Sequence, residues 1–420
     1  MSRIIKRLLR TVLTNILCFW FNIFKIPLTQ KYFTCLHAFR FTENLHVFKS
    51  RKIIHKIAFF ISSKAEFFHR RNIISALPKG SFVFVIPNFV DVLRFYTKEQ
   101  QLKQIEDLKN LISKEFSEEI FDLNTTFTEN IKFTLGVGQN LENYGYYYKG
   151  FRRKLLFPYL SKKGIKIDEI LGAKGFMLLN TYNEDCNKYF DVIFCVGPFS
   201  KKVYQEAYGR NKEILDFGST RFENLSSCPQ NRGIWTPHKT IVWLPTHSPV
   251  SSLPKFLKII ESLHDNYDIY LKPHSASFHE IRNLGKILEN LSNIYVIKKD
   301  INSCDLLKMA DFVFCDYGGS VFTAIYNDKN VLFLNTDNIN YLAKQYPFGL
   351  GTPEVLLRKE IINFDPCCTG EDILKALKDD TIWEEQKKVR KSIRERFFTI
   401  TKEPASQKIA NKLVEFLNEN

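Results

Sequence analysis

From Pro78 onward the chain alternates short runs rich in Val, Ile, Phe and Tyr with longer stretches of helical periodicity. That alternation is the strongest constraint on the fold, because strands joined through helices run parallel, and helices then cover both faces of the sheet. In the first half the expected strands are 82–86, 131–135, 175–179, 191–196 and 214–217, with a helix over 98–116. In the second half they are 240–245, 268–272, 293–297, 311–315 and 330–334, with helices over 253–263, 278–288, 300–309 and 320–326. Helical periodicity returns over 373–377, 383–398 and 405–417. The stretch 226–239 is rich in turn formers and lacks periodicity, which marks it as a linker. A chain of 420 residues exceeds the roughly 250–300 at which a single core stops growing. The expectation is an α/β protein of two Rossmann-like domains facing a cleft, over 76–228 and 229–420, behind a basic amphipathic helical segment over 1–75.

Charge separates that segment from the rest. The net charge is +15, yet the first 80 residues hold 15 Lys and Arg against Glu43 and Glu66, and the remainder is nearly balanced. A nucleic-acid groove would spread its positive charge over the body, so nucleic acid is not the expected partner. An anionic membrane surface is. Arg3, Lys6, Arg7 and Arg10 lie off the stripe Ile5, Leu8, Leu9, Val12, Leu13, Ile16, Leu17, the pattern of a helix lying in the interface. No small-residue cleavage site follows it, and Thr11, Thr14, Asn15, Asn22 and Lys25 make 11–26 too polar for an ordinary span. The segment 49–60 repeats the basic and apolar mixture and is expected to strengthen attachment, placing the protein peripherally on the cytoplasmic face of the cell membrane. Nine cysteines without a C-x-x-C pair suit a reducing compartment and no zinc site.

Ligands of open parallel sheets bind at the carboxyl ends of the strands. Four such ends carry polar groups: Thr246-His247-Ser248, Pro273-His274-Ser275, Asp316-Tyr317-Gly318-Gly319-Ser320 and Asn335-Thr336-Asp337. Gly318-Gly319-Ser320 opens a helix behind a buried strand, which suits either a diphosphate or a plain tight turn with a serine cap. Histidine, titrating near neutrality, serves as a base or as a donor to a leaving phosphate. His274 is the first candidate and His247 the second. Arg221 follows a first-half strand near the linker, placed either to face phosphate or simply on the surface.

Read together, IVWLPTHS, DIYLKPHS, DINSCDLLKMADFVFCDY and VFTAIYNDKNVLFLN resemble, in order and spacing, the CDP-glycerol glycerophosphotransferases, which build teichoic-acid and capsule-like polymers. YFDVIFCVGPFSKKVYQEAYG followed by ILDFGSTRFENL is similar to that family's strand-helix-strand stretch and its glycine-x-x-arginine turn. The likeness covers about 185–340 and weakens over 75–184. It implies a GT-B-like fold with an acceptor-side first domain and a nucleotide-donor second domain. The implied reaction moves an alditol phosphate from a CDP-activated donor to a hydroxyl of a glycan or lipid-linked acceptor, with CMP leaving. It implies donor contacts from Lys272, Asp316 and Tyr317 and activity at His274 in the basic-x-His motif, while Thr246, Gly318, Gly319 and Ser320 are expected to join the donor site from their places after the strands. No cofactor is expected beyond Mg²⁺ carried with the diphosphate. Two departures stand out: Gly318 and Gly319 replace serines, and no His-Gly occurs anywhere in the chain. A nucleotide-sugar glycosyltransferase and a non-catalytic membrane adaptor are the alternative readings.

Overall fold

A computed structural model of the chain describes residues 52–86, 98–122, 131–138, 161–167, 190–225, 238–247, 249–274, 276–297, 303–337 and 353–419. They form two parallel sheets. The first contains β1 (Lys52–Phe60), β2 (Phe82–Ile86), β3 (Ile120–Asp122), β4 (Ile131–Gly138), β5 (Ser161–Ile167), β6 (Val192–Cys195) and β7 (Glu213–Asp216), in the order β3-β2-β1-β4-β5-β6-β7. The second contains β8 (Lys239–Leu244), β9 (Tyr267–Leu271), β10 (Tyr295–Val296), β11 (Phe312–Cys315), β12 (Asn330–Leu334) and β13 (Asn363–Phe364), in the order β10-β9-β8-β11-β12-β13. Each sheet grows outward in one direction and then in the other, so each has a topological switch point, between β1 and β4 in the first and between β8 and β11 in the second. The expected α/β fold with two Rossmann-like sheets is what the chain adopts.

The helices of the first half are α1 (Lys64–Ser75), α2 (Lys98–Glu115) and α3 (Pro198–Tyr208), followed by a 3₁₀ turn over Thr220–Leu225. Those of the second are α4 (Leu253–Glu261), α5 (Ser277–Glu280), α6 (Leu284–Glu289), α7 (Ser303–Met309), α8 (Ser320–Tyr326) and α9 (Pro353–Leu356). Three more close the described chain: α10 (Gly370–Lys378), α11 (Asp380–Phe397) and α12 (Ala405–Asn418). Every residue of FVFVI in β2 is buried, as a central strand covered on both faces requires. The aromatic richness is spent here: Phe59, Phe67, Phe82, Phe84 and Phe116 form edge and tilted contacts with centroids 5.6–6.4 Å apart. Each fully buried Phe stabilises the fold by about 1.5–3 kcal/mol.

The last two helices join the halves. Helix α11 packs on α3 of the first half and on α8 and β12 of the second, and α12 packs on β1, β4 and α1. Where the chain crosses between them, Phe397 lies 4.8 Å from Phe199 and 5.2 Å from Phe322, while Phe398, Phe222 and Tyr326 cluster with Phe222 and Tyr326 4.5 Å apart. Two glycines admit this crossing. A Cβ on Gly197 would stand 2.0 Å from the Phe397 carbonyl oxygen, and Gly218 holds φ +94° against Thr399, whose carbonyl oxygen a Cβ would meet at 2.5 Å. Glu223 accepts the Ser406 N–H at 2.5 Å, placing a carboxylate at the start of α12.

Three sequence expectations need correction. Residues 52–75 do not belong to an appended membrane segment: β1 is an interior strand of the first sheet, between β2 and β4, with Ile57, Ala58, Phe59 and Phe60 buried. The first domain therefore includes the chain from Lys52 rather than from 76. Arg70, one of the basic residues counted toward that segment, is fully buried, paired with Glu66 at 2.9 Å and donating to the Phe60 carbonyl. Finally, the single helix expected over 278–288 is broken into α5 and α6 by Asn283, which takes φ 58°. The amphipathic stretch near the N-terminus, the strand expected at 175–179 and the linker up to residue 237 lie outside the described residues. Among the described residues no helix is long and apolar enough to cross a membrane.

Candidate active site

The carboxyl ends of β8, β9 and β11 converge at the second switch point. Asp316, the first residue past β11, is fully buried and turns back toward β8. Its carboxylate accepts the Thr246 N–H at 2.9 and 3.0 Å, the Ser252 N–H at 2.8 Å and the Ser252 hydroxyl at 2.9 Å. Ser252 Oγ in turn accepts the Trp243 indole N–H at 3.1 Å. Burial raises the Asp316 pKa, while the Ser252 and Thr246 donors pull it down. Asp316 thus ties the β11 end, the β8 loop and the start of α4 into one piece, and its oxygens are committed to the protein rather than offered to a ligand.

Held by that clamp, His247 projects over the end of β9. Its ring faces that of His274, with centroids 4.4 Å apart and planes at 32°. His247 Nδ1 lies 3.0 Å from Glu280 Oε1, at the last residue of α5. His274 Nδ1 accepts the Ala276 N–H at 3.1 Å, in the turn whose Ser277 N–H reaches the His274 carbonyl to start α5. His274 is exposed, His247 and Lys272 are half-buried, and Pro273 is buried beneath them. The two histidines expected from the sequence are therefore neighbours, brought together by the adjacency of β8 and β9.

Gly318, Gly319 and Ser320 border the same edge. A Cβ at Gly318 would sit 3.2 Å from the Thr246 Cβ, so the loops after β8 and β11 touch there. The Ser320 hydroxyl reaches back to the Leu244 carbonyl at 3.3 Å. Tyr317 points down into the core, only 4% exposed, with the Arg358 guanidinium 3.7 Å above its ring. Its position makes it a support for the turn. Arg358 also donates to Asn335 Oδ1 at 2.6 Å and to the Glu354 carbonyl at 2.5 Å, binding the ends of β11 and β12 to α9. The Glu354 side chain is fully buried, among the described residues neither carboxylate oxygen has a hydrogen-bond partner outside its own residue, and burial pushes its pKa up to about 8.

Arg221 is half-buried in the 3₁₀ turn beside α1, where its charge and that of Arg70, after the larger effect of burial, help to hold His69 down to about 3. The same turn contacts α7 of the second half, so Arg221 stands at the junction of the two domains and not among the histidines. Sequence reasoning missed Glu280, Ser252, Arg358 and Glu354. Ser252 had a detectable signal, a serine preceding Leu253-Pro254 at a helix start. Among the described residues no group of three or more His, Cys, Asp or Glu side chains is placed to hold a metal.

The family model for CDP-glycerol:poly(glycerophosphate) glycerophosphotransferase matches residues 176–415. Solved structures similar in fold include the wall teichoic acid polymerase TagF in a histidine-to-alanine variant, with 14% identity, 90% of this chain and 94% of that chain covered, and TM-score 0.58. A second TagF variant, soaked with CDPG, aligns at 14% identity over 90% of this chain and 93% of that one, TM-score 0.56. The UDP-GlcNAc 2-epimerase from Neisseria meningitidis aligns at 13% identity over 87% of this chain and 100% of that one, TM-score 0.52. No curated protein matches by sequence.

Proposed function

This chain belongs to the CDP-glycerol:poly(glycerophosphate) glycerophosphotransferase family, and from that premise we propose that it transfers an alditol phosphate from a CDP-activated donor to a hydroxyl of a surface glycan or lipid-linked acceptor, releasing CMP. A glycerophosphotransferase-type reaction follows from the family; the acceptor and the working surface are the finer part of the proposal. The observation that carries it is the pair His247 and His274 facing each other at the second switch point, with Gly318–Ser320 alongside. In this reading the acceptor hydroxyl attacks the phosphorus that bears the alditol. A new P–O bond forms, the bond to the CMP phosphate breaks, and the electron pair leaves with CMP. Lys272 and the Gly318–Ser320 turn border the diphosphate, whose Mg²⁺, where present, arrives with it. Asp316 and Tyr317 serve by fixing that turn.

The deciding experiment incubates the purified protein with labelled CDP-glycerol, CDP-ribitol and nucleotide sugars and follows CMP, UDP or GDP release. CMP from a CDP-alditol is the expected product, and His274→Ala lowers its rate by about 10²–10⁴-fold with folding intact. UDP or GDP release would support the nucleotide-sugar reading, and no release at all the adaptor reading. Gly319→Val weakens donor affinity by calorimetry if the turn approaches the diphosphate through its backbone.

Location at a membrane belongs to the same proposal. It is supported by the sequence of residues 1–30, where basic residues flank an apolar stripe. Each Lys or Arg near an anionic leaflet contributes about 1 kcal/mol, an attraction that fades beyond about 8 Å at physiological salt. Flotation with vesicles of graded anionic lipid content tests it: loss of residues 1–30 abolishes flotation, and equal binding to neutral vesicles overturns it.

A further inference from the structure

The hydrogen bonds around the two histidines assign them different jobs. A carboxylate can only accept, so the contact between Glu280 Oε1 and His247 Nδ1 puts the His247 proton on Nδ1 and leaves Nε2 with its lone pair. A backbone N–H can only donate, so the Ala276 N–H at His274 Nδ1 puts the proton of a neutral His274 on Nε2. Two mutually tilted rings with centroids 4.4 Å apart thus carry opposite polarity, one an acceptor and the other a donor.

Resting on the transfer reaction proposed above, we infer that Glu280 is a positioning residue that makes His247 the general base, while His274 is the donor to the departing phosphate. The acceptor hydroxyl gives its proton to His247 Nε2 as its oxygen bonds to phosphorus. The electron pair of the broken P–O bond leaves on CMP, whose phosphate oxygen takes a hydrogen bond from His274 Nε2–H. Glu280 faces the imidazolium so formed and stabilises it, the part a carboxylate plays wherever it orients a catalytic histidine. Glu280 is the last residue of α5, and its side chain stays at the strand-end surface, about one-third exposed. Among the described residues, the other titratable groups on the surrounding elements include His279 on α5 itself, Lys272 at the end of β9, and Asp316 and Tyr317 at the end of β11.

Two measurements test the assignment, one independent of any substrate. In long-range ¹H–¹⁵N spectra of histidine-labelled full-length protein, with His247→Gln and His274→Gln for identification, His247 is expected in the Nδ1–H form and His274 in the Nε2–H form. Glu280→Ala is expected to shift His247 alone toward Nε2–H. His247 found as Nε2–H in the wild-type protein overturns the inference, whatever the protein's activity. With CDP-glycerol as donor, Glu280→Gln is expected to lower kcat about 10-fold or more while KM for the donor stays within about 2-fold. A loss confined to KM overturns the inference. Wild-type protein that releases no CMP while showing the expected tautomers refutes the donor reading and leaves the assignment standing.

Discussion

The two switch points of the molecule are built alike and used differently. Between β1 and β4, Glu66 accepts the Ser62 N–H at 2.7 Å and its hydroxyl at 2.6 Å, sewing the end of β1 to the start of α1. Between β8 and β11, Asp316 does the same for the β8 loop and α4. In both, a buried carboxylate satisfies backbone donors that a strand-to-helix turn leaves open. The first is then closed by Arg70, which neutralises Glu66 and is itself fully buried. At the second, after the larger effect of burial, the charge of the buried Arg358 pulls the Asp316 pKa down without a direct ion pair among the described residues, and the neighbouring strand ends carry His247, His274 and glycine. Strand ends at a switch point offer a place for chemistry, and the side chains set there decide whether it is used or filled.

The largest test of this comparison is Glu66→Gln, which leaves the Arg70 guanidinium buried without its anion. It should cost about 3–5 kcal/mol in urea unfolding, and a loss below about 1 kcal/mol would break the claim that the first switch point is a structural ion pair. Glu354, a buried acid of the second half with no side-chain partner among the described residues, gives the contrasting case. Its folded-state pKa of about 8 lies above the ordinary 4.5, so the folded protein retains a proton that the unfolded chain releases. Stability from this group is therefore present at low pH and is lost as pH rises from about 4.5 to 8. Glu354→Gln should be neutral at pH 4 and stabilise by about 2–4 kcal/mol at pH 8.5, measured by thermal melts across pH.

Asp316→Asn replaces an acceptor oxygen with a donor that faces N–H groups, for a cost of about 1–3 kcal/mol. Unlike Glu66→Gln, it should also reduce turnover of the folded protein, since the loop carrying His247 loosens; unchanged CMP release would detach the clamp from the site. The smallest effects belong to exposed pairs near both points, Lys64–Asp107 at 3.2 Å and Lys255–Asp337 at 3.5 Å. Lys64→Ala and Lys255→Ala should each alter stability by no more than about 0.5 kcal/mol, and a larger change at one alone would show that the two edges differ beyond their buried groups.

The second sheet was readable from sequence because its strands are apolar runs bounded by turn formers, as in KTIVWL and NVLFL. The first sheet was harder. KIIHKIAFF mixes lysine and histidine with apolar residues and imitates an interfacial segment, although its last four residues are among the best buried in the molecule. SKKGIKI in β5 looks polar, yet Lys166 is 5% exposed with its ammonium 5.2 Å from the Tyr204 ring. The strand-end rule located His247 and His274 without structure, because it needs only strand positions. Glu280 escaped it, since a four-residue helix ended by an extended Ile281 leaves no periodic trace. Glu354 and Arg358 escaped because their importance comes from burial, which no local pattern reveals.

The position of α12 has a consequence for biosynthesis. The first sheet is complete in sequence at Asp216, but Ile409, Leu413 and Phe416 belong to its core, and the carboxylate that meets the start of their helix, Glu223, is 183 residues away from Ser406. At roughly 5–20 residues per second, a ribosome that has finished the sheet works for about 10–40 s before its covering helix exists. During that interval the whole second domain is made and free to fold while the first carries bare apolar surface. The domain encoded first is thus the one finished last, and until then the nascent chain depends on chaperones or on its own second half for protection from aggregation.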